Sequence, residues 1–116
     1  MRHRNKTKTL GRTPAHRKAM FASLAQSIIL YEKVTTTRVK AKLVRPLLER
    51  AIHYSKDGGL TARRRLLATF SSELAVKKTL EVVGPRYKDR TGGYVRIIPI
   101  GARKGDGADM VQIELV

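Results

Sequence analysis

The chain opens MRHRNKTKTLGRTPAHRK, and the chemistry open to those eighteen residues is the neutralisation of phosphate. Arg2, Arg4, Lys6, Lys8, Arg12, Arg17 and Lys18 stand there beside His3 and His16, and the first carboxylate of the chain is Glu32. Guanidinium groups grip phosphate oxygens two at a time, and ammonium groups meet them as point charges. Met1 and Leu10 are the only apolar residues of any size in this stretch, too little surface to offset the entropy of ordering it. Residues 1–12 are therefore expected to form an extended basic arm, and 13–116 a single globular domain.

No other constellation competes with that chemistry. His3, His16 and His53 lack the i, i+4 spacing of a helical metal site, and the chain has no cysteine, so neither a metal nor a cofactor is expected. Glu49 and Asp57 flank a helix end, and turn chemistry accounts for Asp106 and Asp109. No serine sits in a nucleophile elbow, and no glycine run leads into the Lys-Ser/Thr of a phosphate loop. An enzyme acting on a small-molecule substrate is not predicted. At Gly92-Gly93-Tyr94 two glycines would let backbone approach a ligand closely, with Tyr94 a ring beside Arg90 and Arg96; the other reading is a plain loop-to-strand junction with a packed tyrosine.

The whole composition points the same way. Twenty-five Lys and Arg against nine Asp and Glu give a net charge of +16. Such a chain repels itself unless a polyanion is near. With 41% apolar residues it can still build one modest core. Aromatic residues are only 5%, few for a platform that stacks single-stranded bases. Met20 to Tyr31 after a basic start mimics a signal peptide. The long polar segment before it, the interruptions at Ser23, Gln26 and Ser27, and the lack of a small-x-small cleavage site argue against export.

These residues need a scaffold, and the periodicity supplies one. Thr13-Pro14 is a helix start, a hydroxyl cap followed by proline at the first helical position. Met20, Phe21, Leu24, Ala25, Ile28 and Tyr31 follow at three- and four-residue steps as its inward face. His16, Arg17 and Lys18 crowd the positive end of that helix dipole, a placement that favours an arriving phosphate. Lys33 to Thr37 reads as a strand. Val39, Leu43, Leu47, Ala51, Ile52 and Tyr54 mark a second helix, kinked or split at Pro46.

Thr61 to Phe70 reads as a short third helix, with Arg63-Arg64-Arg65 at its start and Leu66, Leu67 and Phe70 inward. A fourth is capped by Ser72, has Leu74, Val76, Leu80 and Val83 inward, and stops at Gly84-Pro85. Tyr94 to Ile100 is a strand that Pro99 assigns to an edge, and Met110 to Val116 alternates cleanly. The pattern predicts an α+β fold, three or four helices packed on one face of a small mixed three-stranded sheet.

Several blocks, in order along the chain, resemble one family. They are MRHR at the start, LGRTPAHRKAM (Leu10–Met20), TTTRVKAKLVRP (Thr35–Pro46), ARRRLL (Ala62–Leu67), GGYVRI (Gly92–Ile97), and RKGDGADM with the closing IELV. The chain is similar in these to the bacterial large-ribosomal-subunit protein numbered seventeen. It departs from the pattern at Asn5–Thr9 and at Leu43-Val44, where the family usually has glutamate before leucine-arginine.

The resemblance implies a structural protein of the large subunit in the cytoplasm, bound to large-subunit ribosomal RNA and neighbouring ribosomal proteins near the exit side of the peptide tunnel. With the residue-level reading it gives these RNA-facing candidates: the arm cations with His3, the His16–Lys18 turn, Thr35, Thr36, Thr37, Lys40, Lys42, Arg45, Arg63, Arg64, Arg90, Gly92, Gly93, Tyr94 and Arg96. A free nucleoid-type DNA binder is the alternative, but neither a recognition helix nor a minor-groove wedge is visible. A membrane-surface helix over Thr13–Tyr31 would keep its cations along one face rather than at one end.

Overall fold

The helix start at Thr13-Pro14 forms as its chemistry dictates. In the computed structural model, which describes residue 3 and residues 9–116, Thr13 Oγ1 accepts the His16 N–H at 3.3 Å and Pro14 opens helix α1 (Pro14–Tyr31). Arm residues 1, 2 and 4–8, and with them Arg2, Arg4, Lys6 and Lys8, lie outside the described residues. Strand β1 (Lys33–Thr37) and helix α2 (Arg38–Ser55) follow, then α3 (Leu60–Thr69). Pro46 does not divide α2, which runs as one eighteen-residue helix.

The last helical stretch begins at α4 (Glu73–Lys78), with Ser72 Oγ accepting the Ala75 N–H. It does not stop at Gly84-Pro85, as expected from sequence. It widens into a π segment (Thr79–Val83) and continues through the short turn α5 (Gly84–Arg86). Pro85 has no N–H to donate and its ring crowds the carbonyl of the preceding turn. The wider turn, in which the Gly84 N–H reaches back five residues to the Thr79 carbonyl, lets the helix absorb that defect. Taken as one helix, this stretch brings the count to four.

Strands β2 (Val95–Ala102) and β3 (Asp109–Leu115) close the chain. The sheet order is β1-β3-β2, and β3 is antiparallel to both neighbours. The expected mixed sheet is therefore corrected to a purely antiparallel one. The helical crossover does leave β1 and β2 running in the same direction, but β3 is inserted between them and they never pair. Pro99 sits on an edge as expected, with a bulge between it and Gly101.

Strand alternation sorts the sheet into two faces. Val34, Ile113 and Ile97 form an inner row, and Val95, Val111 and Leu115 also turn inward. They meet Ala25, Ile28 and Ile29 of α1 and Ala41, Val44, Leu48, Ala51 and Ile52 of α2. Leu66, Phe70, Val76 and Val83 complete the core from the later helices. Tyr31, Val39, Leu67 and Leu74, expected inward, are exposed, Tyr31 by 72%. At 100° per residue Tyr31 falls well off the stripe that Ala25, Ile28 and Ile29 define, so steps of three and four strung together had drifted around the helix.

One close approach fixes how the last helix crosses α2. A Cβ at Gly84 would lie 2.7 Å from the Ser55 carbonyl oxygen, and Ser55 is itself buried with its hydroxyl donating to the Ile52 carbonyl at 2.6 Å. Only glycine allows the two backbones this near. Gly84→Val is expected to cost about 1–3 kcal/mol in chemical denaturation through overpacking. Gly92→Ala, where a Cβ meets nothing within 4 Å, should stay within about 0.5 kcal/mol of the parent chain.

Candidate RNA interface

The site is defined first by where the carboxylates go. Glu32 ends α1 in the left-handed conformation, φ 64°, and joins three elements. Its N–H returns to the Ile28 carbonyl at 2.8 Å, its carbonyl accepts the Leu115 N–H at 2.9 Å, and its carboxylate pairs with Arg86. The Arg86 hydrogen bond holds the Glu32 carboxyl below its usual 4.5, against a smaller opposing effect of burial. Lys78 completes this corner by donating to the Leu30 carbonyl at 2.9 Å, a cation at the negative end of α1.

Glu49 does the same work between α2 and the sheet. Its two oxygens accept the Tyr94 and Val95 N–H groups, each at 3.2 Å, and Arg45 lies 4.0 Å away. Glu114 pairs with Arg96 across the open sheet face at 3.0 Å, Glu73 with Arg63 at 3.6 Å, and Asp106 with Arg103 in the β2–β3 loop. In that loop the Arg103 fork and the Ala108 N–H bring the Asp106 carboxyl down to about 2.

The Tyr94 expectation fails on this geometry. Its ring is 2% exposed and packs against Tyr87, with centroids 5.4 Å apart, so it is not offered to a base. Its hydroxyl donates to the Arg90 carbonyl and accepts from Lys56 Nζ, both at 3.1 Å; the cation over its ring is Lys56 and neither Arg90 nor Arg96. Gly93 has φ +65° and lies in open space but for the Arg90 side chain, 4.0 Å from where its Cβ would stand. Backbone conformation alone thus calls for a glycine there. Tyr94 is the structural anchor of this junction.

The remaining candidates fall into groups. Arg45, Arg63 and Arg96 carry carboxylate partners. Thr35 and Thr37 lie on the open sheet face with Arg96, while Thr36 turns with Val34 toward the helices. Thr9 to Arg12 makes a turn closed by the Arg12 N–H to the Thr9 carbonyl at 3.1 Å, with φ positive at both Leu10 and Gly11, and Arg12 Nη1 donates back to Leu10. Among the described residues His16, Arg17, Lys18, Lys40, Lys42 and Arg64 have no ion-pair partner.

Folding also creates a juxtaposition the sequence reading missed. Arg17 and Lys18 of α1 and Arg50 of α2 line one groove, and Arg50 was not among the candidates. Arg38, Lys42, Arg45, Arg50 and His53 are all exposed along α2, a stripe at helical spacing opposite Ala41, Val44, Leu48 and Ile52. That spacing is legible in the sequence as the complement of the apolar stripe.

A small α+β body in which five of nine carboxylates pair with the chain's own cations, while Arg17, Lys18, Lys42 and Arg50 have no such partner among the described residues, has the make-up of a ribonucleoprotein component. The comparisons with known proteins make that specific. The family model described as ribosomal protein L17 matches residues 20–116. Large ribosomal subunit protein bL17 of Hyphomonas neptunium is 47% identical over all 116 residues of the chain and 83% of its own length. The proteins of that name from Beijerinckia indica and Rhodopseudomonas palustris are also 47% identical over the full chain, which covers 83% and 84% of them. The chain belongs to the ribosomal protein L17 family, structural constituents of the large ribosomal subunit.

The Glu32 clip has a testable pH signature. A carboxyl held below its ordinary value stabilises the fold fully above that value, and the contribution is lost as pH falls through the lowered one. Both partners are substantially exposed, with side-chain accessibilities of 36% and 42%, so screening limits the gain to about 1 kcal/mol or less. Thermal melts should show the parent chain ahead of Glu32→Gln at pH 7, with the gap closing below about pH 4.5. A gap that stays constant down to pH 2 would mean the ion pair adds nothing.

Proposed function

We propose that the chain binds and clamps large-subunit ribosomal RNA, using the basic residues of its first twelve positions together with the cations of α1 and α2, and that it does so in the cytoplasm as part of the bacterial ribosome beside neighbouring large-subunit proteins. The observation that carries this reading is the division of charge. Five of the nine carboxylates pair with cations of the chain itself, whereas Arg17, Lys18, Lys42 and Arg50 have no carboxylate partner among the described residues. Left so, they repel one another, and a phosphate backbone relieves the repulsion.

The mechanism is positioning without catalysis. Each cation that meets a phosphate releases condensed counterions, and the folded body fixes where those cations point. The 2′-hydroxyls and the shape of folded RNA then select it over duplex DNA. Family membership supports the choice of ribosomal RNA over other polyanions.

Removing Met1 to Arg12 tests the arm. Those residues carry Arg2, Arg4, Lys6, Lys8 and Arg12, and the cut leaves the Thr13 cap of α1 in place. The log–log salt dependence of binding to large-subunit RNA should flatten by roughly 3 to 4 units, at about 0.7–0.9 per lost phosphate contact. The melting midpoint without RNA should barely move. An unchanged slope would assign binding to the folded body alone, and a collapsed melt would mean the first twelve residues support the fold.

A further inference from the structure

The groove holding Arg17, Lys18 and Arg50 lies between α1, α2 and α3 and is open to solvent, with a volume of about 540 Å³. Its floor is apolar, with Phe21 and Ala22 from α1, Leu43 and Leu47 from α2 and Ala68 from α3. No aspartate or glutamate lines it. We propose that this groove is a binding site for a single unstacked nucleotide of RNA, its base laid on Phe21 and its phosphate held among the three cations. The inference rests on the RNA-binding function proposed above and adds a site to it.

Charge and shape select this occupant. The rim brings three like charges together, two of them in the first turns of α1, where the helix dipole makes cations unfavourable until an anion arrives. The basic first eight residues of this chain cannot relieve that charge, and a second copy carrying +16 cannot either. An RNA segment supplies the anion and a flat apolar base on one unit, and bases splayed out of loops are taken up in this way on aromatic rings. The groove's volume falls within the range of about 300–1,000 Å³ usual for small-ligand sites. An acidic amphipathic peptide would also meet the charges, but a single aromatic face beside three cations favours a base.

The chain contains no tryptophan, so Phe21→Trp installs one fluorescent reporter on the groove floor. It is titrated with a mixed-sequence single-stranded RNA octamer and, separately, with inorganic polyphosphate of matched charge. RNA is expected to quench the introduced indole by stacking and polyphosphate to leave it nearly unchanged. Adding Arg50→Ala should raise the RNA midpoint about three- to tenfold, the loss of one charge-assisted contact.

Methyl NMR of the unaltered chain repeats the test without a variant. The Leu43 and Leu47 methyls should show ring-current shifts with the octamer and none with polyphosphate. Equal responses to both, or shifts produced by polyglutamate and not by RNA, would overturn the nucleotide site. Filter binding of large-subunit RNA separates the two levels. If that RNA binds while the groove stays silent, only the groove assignment falls; if it does not bind, the function proposed above falls with it.

Discussion

The constraint on which this structure depends is the shortage of carboxylates. With nine acids against twenty-five cations, the fold cannot neutralise itself, and where each acid is placed decides which surfaces stay positive. Glu32 ties the end of α1 to β3 and to Arg86, fifty-four residues on. Glu49 ties α2 to the start of β2, forty-five residues away. These two carboxylates thus each make a long-range connection, and each has an arginine beside it, Arg86 and Arg45. Among the described residues, the cations left without a carboxylate partner include Arg17 and Lys18 in the N-terminal turns of α1 and Lys42 and Arg50 on the exposed side of α2.

Helix α2 joins the two halves of that arrangement. One side supplies Ala41, Val44, Leu48 and Ile52 to the core over the sheet, and Glu49 beside them fixes the sheet's edge. The other side carries Lys42, Arg50 and His53 outward. Leu43 and Leu47 lie between these two sides and form part of the groove floor. A single amphipathic helix therefore sets the packing and carries the cations, and the core behind it fixes the backbone positions from which those side chains extend.

Much of this was legible in the residues, and the exceptions have physical causes. Caps and breakers act locally, so Thr13-Pro14, Ser72 and the edge proline Pro99 behaved as their chemistry required. Failures came where a neighbour far along the chain decided the outcome. Gly84-Pro85 looks like a stop signal, yet the π widening and the close approach to Ser55 carry the helix through it. Tyr94 beside two glycines and two arginines resembles an exposed platform, yet Glu49 and Lys56 draw it into the core. The convergence of Arg17, Lys18 and Arg50 depends on how α1 crosses α2, which no local pattern encodes.

The central claim is that the unpaired cations of α1 and α2 face the RNA of the subunit. Amine-selective labelling of the free chain and of the chain assembled in large subunits, read residue by residue by mass spectrometry, tests it most directly. Lys18 and Lys42, exposed in the free protein, should lose most of their reactivity on assembly. Equal labelling of both lysines in the two states would contradict the account.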